Sequence, residues 1–255
     1  MHSNIDVVTQ SKCISSAVRL AAAACMTLLL AATAIAQTGG ASPQLQEKLA
    51  ALKQSAAQNK QKLHKYQWTE IQQVNFKGED KPAKSFSCQY GPDGTVQKTP
   101  MAQSQPQQQQ QGRGGRLKQH VVEKKTDEMQ QYMGQVKSLL AMYVPPGSLK
   151  MQQAFKAGNV SMNPDPSAGL VDLVFKNYAQ PGDQMTVAFN STTKNISTLN
   201  VNTYMGQAKD AVILTVNFST LPDGTNYAEK TVLNVAAKQI VVTTTNTNYH
   251  PLGGM

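Results

Sequence analysis

Few residues in this chain carry reactive side chains at spacings that chemistry uses. His64, His120 and His250 are the histidines beyond His2, and none stands at a metal-ligating interval from a Cys, Asp or Glu. A zinc site therefore has no support, and no metal or other cofactor is expected. Serines are plentiful, but there is no Gly-x-Ser-x-Gly nucleophile elbow. Neither a Gly-x-Gly-x-x-Gly fingerprint nor a phosphate-binding loop occurs. Glu70 is the one carboxylate in a suggestive setting. It shares a strand face with Trp68, and burial among aromatic rings raises a carboxyl pKa. The plainer alternatives for such a residue are a lysine partner or a solvated sheet edge. Cys88 alternates with Phe86 and Tyr90 and reads as a small buried hydrophobe rather than a nucleophile. A non-enzymatic protein is expected.

The address of the protein is written more clearly than its activity. Lys12 and Arg19 precede an apolar run, Leu20 to Ile35, and Ala34-Ile35-Ala36 then gives the small-x-small pattern of signal-peptide cleavage. At 16 residues the run falls short of the roughly 20 needed to cross a bilayer. A lipid-anchored Cys25 would want Leu three positions earlier, where Ala22 stands. Residues 1–36 thus read as a cleavable leader, and the working protein as residues 37–255, periplasmic or secreted. Cys13 and Cys25 leave with the leader, so Cys88 alone remains and no intramolecular disulfide can form. Without Lys12, Arg19 and Asp6 the net charge is +8. In an exported protein that balance suits anionic membrane surfaces or acidic partners better than nucleic acid, and it also serves plain solubility.

The remaining residues are enough for one domain with a real core. Ser42-Pro43 opens a helix in which Leu45, Leu49, Leu52, Ala56 and Leu63 share a face. At Tyr66 the period changes from 3.6 to 2, and Tyr66, Trp68, Val74 and Phe76 share a strand face. Phe86 to Tyr90 and Thr95 to Thr99 flank the hairpin Gly91-Pro92-Asp93-Gly94. Gln103 to Gln111 is almost all Gln and leads into Gly112-Arg113-Gly114-Gly115-Arg116. Residues 101–119 therefore read as a disordered loop, solvated or touching phospholipid headgroups through Arg113 and Arg116. A second helix is expected from Val121 to Tyr143, with Met129, Tyr132, Met133, Val136, Leu139 and Leu140 in its stripe. Pro145-Pro146 ends it, and a short helix follows from Ser148 to Ala157. From Gly169 onward regular alternation gives strand after strand. The fold class expected is α+β: about ten antiparallel strands in a strongly curved sheet, an open or half β-barrel, wrapped around about three helices.

This order of elements resembles the periplasmic lipoprotein-carrier superfamily, the Lol-type carriers and their relatives. The resemblance rests on Leu63-His64-Lys65-Tyr66-Gln67-Trp68, on Tyr90-Gly91-Pro92-Asp93-Gly94, and on Leu221-Pro222-Asp223-Gly224-Thr225 between two long strands. It implies an incomplete barrel whose helices lid an apolar cavity for acyl chains of lipoproteins or other lipids. No lid or cavity motif matches residue by residue, and the Gln-rich loop departs from the compact carriers. The residues themselves propose a cavity wall of Trp68, Phe76, Met129, Met133, Val136 and Leu140, with a lipid or acylated protein as partner. A filled core would use the same side chains, so an envelope-structural or protein-interaction module with a solid core stays open. The leader makes the first prediction: N-terminal sequencing of the exported protein reads Gln37 as its first residue, and an intact Met1 start would refute cleavage.

Overall fold

The computed structural model describes residues 43–101 and 116–253, with side chains in the second stretch described from residue 127. The expected leader and Arg113 lie outside the described residues, and so does the side chain of Arg116. Helix α1 (Pro43–Leu63) leads into strands β1 (Tyr66–Phe76), β2 (Glu79–Asp80), β3 (Lys84–Tyr90) and β4 (Val96–Pro100). Helices α2 (Arg116–Leu140) and α3 (Ser148–Lys156) follow. Strands β5 (Val160–Asp165), β6 (Leu170–Lys176), β7 (Gln184–Asn190), β8 (Ile196–Tyr204) and β9 (Ala211–Thr220) form a meander. It continues through β10 (Asn226–Val235), a single 3-10 turn (Ala236–Lys238) and β11 (Ile240–Pro251).

All eleven strands of the described residues join one antiparallel sheet, in the order β4-β3-β1-β11-β10-β9-β8-β7-β6-β5, with β2 beside β1. The sheet is open, with β4 and β5 at its edges. The α+β class and the open curved sheet agree with the sequence reading. Four details differ. Residues 160–165 form an edge strand that their weak alternation concealed. Glu79–Asp80 pair with Asn75 and Phe76 as a two-residue return strand that has no apolar alternation to announce it. Helix α2 starts at Arg116, because Leu117, Lys118, Gln119 and His120 propagate a helix without needing an apolar stripe. Ala56 of α1 is exposed, and Ser55 and Asn59 take the inward positions instead.

Those two residues explain how a mostly polar helix stays on the sheet. The Ser55 hydroxyl donates to the Lys194 carbonyl at 2.5 Å. The Asn59 amide donates to the Asn226 carbonyl and accepts from the Asn226 N–H, at 2.6 and 2.7 Å. Leu45 and Leu52 supply the buried apolar contact.

The core lies against one face of the sheet. Leu173, Phe175, Met185, Val187, Phe189, Val201 and Val212 are completely or almost completely buried there, beneath Val136, Tyr143, Met151 and Ala154 of the helical layer. Within this apolar layer sits one charged hub. Asp183, 2% exposed, accepts the Tyr143 phenol and the N–H groups of Tyr178, Ala179 and Gln180. The Tyr143 oxygen also meets the Thr203 hydroxyl at 2.8 Å. The β6–β7 turn, the end of α2 and strand β8 are thereby pinned together. Tyr143→Phe removes one of four donors and should cost about 1–2 kcal/mol. Asp183→Ala leaves the three N–H groups without an acceptor, Tyr143 keeping Thr203 as its partner, and should cost about 3 kcal/mol or more. Urea unfolding of the two variants checks the ranking; equal, near-zero losses would show that the hub contributes nothing.

Candidate functional site

The six proposed wall residues do not form one site. Met133, Val136 and Leu140, on successive turns of α2, line an apolar notch of about 330 Å³. Ala141 and Val144 extend the same side, Leu233 of β10 closes the other, and Lys137 is the charged residue among the lining. Val136 is 1% exposed, whereas Met133 and Leu140 are half-buried. Phe76 and Met129 pack against the same core and are not part of that lining. Leu233, Ala141 and Val144 escaped the sequence reading. Leu233 was legible as an inward strand residue, but which helix would face it was not.

Trp68 belongs elsewhere. Eight residues separate it from Phe76 along β1, about 26 Å. Its ring stacks on Tyr249 at 5.4 Å and lies beside Tyr90, also at 5.4 Å. Tyr90 stacks on His64 at 4.6 Å, and Tyr227 packs on Tyr249 at 4.4 Å. The indole N–H donates to Asn246 at 3.2 Å. Trp68 is thus satisfied inside an aromatic cluster at the opposite end of β1 from the notch.

The two Pro-Asp-Gly-Thr hairpins bracket that cluster. In each, the Asp carboxylate accepts both the N–H and the hydroxyl of the following Thr: Asp93 with Thr95, and Asp223 with Thr225. Gly94 and Gly224 take positive φ, as the turns require. A Cβ at Gly94 would touch His64, and one at Gly224 would come within 3.9 Å of the Lys62 ammonium. Both hairpins therefore close on the junction between α1 and β1. Tyr66 donates to Asp223 at 2.8 Å. Burial opposes the charge on Asp223, but the Thr225 and Tyr66 hydrogen bonds and the Lys62 charge together outweigh it and hold the carboxyl low.

Glu70 lies beneath this cluster. It is 6% exposed and meets Lys98 of β4 with both oxygens, at 2.6 and 2.8 Å. The lysine-paired alternative is the one the structure adopts. Cys88, 1% exposed, has its thiol pushed up by burial and then by the Glu70 charge, which disfavours the thiolate. No group of three His, Cys, Asp or Glu capable of holding a metal occurs among the described residues.

A second depression runs between α1 and α3. Leu49, Ala50, Met151 and Phe155 are its apolar residues, Lys53 and Lys156 are its charged ones, and its volume is about 380 Å³. Together with the notch it shows where the helical layer is incompletely packed.

Burial raises the phenol pKa of Tyr90, Tyr143, Tyr178 and Tyr249, with neighbouring rings or Asp183 adding to it in Tyr249 and Tyr143. Tyrosines of the unfolded chain ionise near pH 10, so these residues stabilise the fold fully below that value. Their contribution is lost as pH climbs through the raised folded values. Tyrosinate absorbance followed with circular dichroism should show these rings ionising only as the sheet unfolds; ionisation ahead of unfolding would contradict the burial.

No family model matches this chain, and no curated protein matches it. Among solved structures, a DUF1329 family protein from Desulfovibrio piger is similar over 82% of this chain and 94% of its own, at 7% identity and a TM-score of 0.40. A domain described as an outer membrane lipoprotein-sorting protein, from Vibrio parahaemolyticus, is similar over the same shares, at 8% identity and a TM-score of 0.38. Likenesses at this level say nothing of what this chain binds.

Proposed function

We propose that this is an exported, non-enzymatic binding protein that holds an acyl chain, of a lipid or an acylated protein, between its helical layer and the open sheet. The observation that carries this reading is the notch beneath the last turns of α2. Its lining is apolar apart from Lys137, and it opens on half-buried Met133 and Leu140 rather than on a sealed core. Its volume, about 330 Å³, lies at the small end of the ~300–1,000 Å³ range of ligand sites. An unbranched chain suits such a slot, gaining about 0.8 kcal/mol for each methylene taken from water. Methionine favours an adaptable wall, since its thioether chain repacks around ligands of different length.

The Glu70–Lys98 pair and the buried Cys88 thiol support the non-enzymatic part of the reading. The carboxylate is already occupied by an ammonium, and the thiol is shielded and hard to ionise. The filled centre of the sheet, around Val187 and Val201, favours the second reading, an envelope-structural or protein-interaction module with a solid core.

Native mass spectrometry of the host-processed protein, followed by organic extraction, separates the two. A stoichiometric lipid or acyl species is expected, and Met133→Gln with Leu140→Gln should lower its occupancy about tenfold or more without altering the circular dichroism spectrum. A clean apo mass, unchanged after incubation with phospholipid and with acylated peptide, would refute the acyl-binding reading.

A further inference from the structure

The corner between α2 and α3 is the least expected part of the surface. Three of the eight large hydrophobic residues exposed among the described residues fall within it: Met142, Val144 and Leu149, at 36%, 38% and 67% exposure. The chain there is well tied down. Val144 N–H donates to Leu140, Gly147 N–H donates to the Tyr178 phenol, and Met151 N–H donates to Gly147. The apolar side chains are therefore displayed by an ordered corner.

The charge around them has one sign. Between Glu128 and Asp165 the sequence holds Lys137, Lys150 and Lys156 and no acidic residue. None of the three lysines takes part in an ion pair among the described residues. The acidic residues that approach from the adjoining sheet do not offset them. Asp183 is buried and saturated with hydrogen bonds, and Asp172 alternates with the buried Val171 and Leu173, on the opposite face of β6. Lys150, part-exposed, rests its ammonium over the Tyr178 ring at 5.8 Å, which leaves its charge without a carboxylate partner. Exposed aliphatic and thioether side chains amid lysines without carboxylate partners match a bilayer interface, where apolar groups enter the acyl boundary and ammonium groups meet anionic headgroups. Asp210 approaches α2 at Tyr132, about two to three turns before the corner, and Glu47 stands on the neighbouring α1. A protein partner would equally tolerate the apolar residues, but the corner's own segment carries lysines alone, which favours a uniformly anionic surface.

We propose that the α2–α3 corner docks on an anionic lipid bilayer, with Met142, Val144 and Leu149 inserted at the interface and Lys150 among headgroup phosphates. Val144 also lines the notch, so the docked corner places the notch beside the acyl region of the membrane. In this respect the inference deepens the acyl-binding reading and rests on it.

Vesicle co-sedimentation of the host-processed protein tests the docking separately from ligand holding. Vesicles of phosphatidylcholine with phosphatidylglycerol should bind it, vesicles of phosphatidylcholine alone should bind markedly less, and raised salt should weaken the former. Met142→Ser with Leu149→Ser spares the notch lining and should reduce binding about tenfold or more. Lys150→Gln should reduce it about fivefold. Equal binding by wild type and the Met142→Ser/Leu149→Ser variant would overturn the docking while leaving the acyl-binding reading intact. No binding to either vesicle would overturn it as well, and would turn attention to a protein partner for the corner. If wild type binds anionic vesicles through this corner yet never carries a lipid in native mass spectrometry, the docking stands and the acyl-binding reading fails.

Discussion

An open sheet with one apolar face must have that face covered, and the rest of the molecule follows from this requirement. No disulfide braces the described fold, since Cys88 is a free and buried thiol. Stability must come from burying the row of Val, Leu, Phe and Met side chains beneath the helices. The coverage is uneven. Over strands β6 to β9 the core is filled, with Leu173, Phe175, Val187 and Val201 sealed. Toward β10 the packing loosens into the notch beside Leu233, where α2 ends.

The helices are held less by their own amphipathicity than by directional bonds to the sheet. Helix α1 is predominantly polar, and its second half is fixed by Ser55 and Asn59 reaching main-chain groups of the β7–β8 connection and of the start of β10. The end of α2 is fixed by Tyr143 on Asp183. A buried carboxylate is tolerable there because four donors replace its hydration. Such anchoring sets position without filling space, and that is how a secure helical layer coexists with an unfilled slot. The same anchor holds the α2–α3 corner in place, so its exposed apolar side chains are a fixed feature of the surface.

The two ends of β1 divide the labour. At one end the rings of Trp68, Tyr90, Tyr249 and His64 form a closed cluster between two hairpins of identical Pro-Asp-Gly-Thr sequence. At the other, Phe76 joins the apolar core near Ile240 and Val242. The cluster locks the entry of α1 into the sheet. The apolar notch lies toward the far end, under α2.

Local pattern alone determined much of this protein. Periods of 3.6 and 2 gave the three helices and most strands, and Pro-Asp-Gly placed both hairpins, because these signals depend on neighbours in the chain. Glu70 and Trp68 were legible as sharing a strand face for the same reason. Tertiary structure decided the rest. The pairing of β1 with β11 joins residues more than 160 positions apart, and nothing local to either strand specifies it. Burial of Asp183 depended on donors from a helix and a turn that meet only in the fold. The grouping of Met133, Val136 and Leu140 was visible as a helical stripe, but their partner Leu233 and the separation from Trp68 were not. An apolar side chain at the right period announces that it will be buried; whether protein atoms or an empty slot lie against it is settled by how whole elements pack.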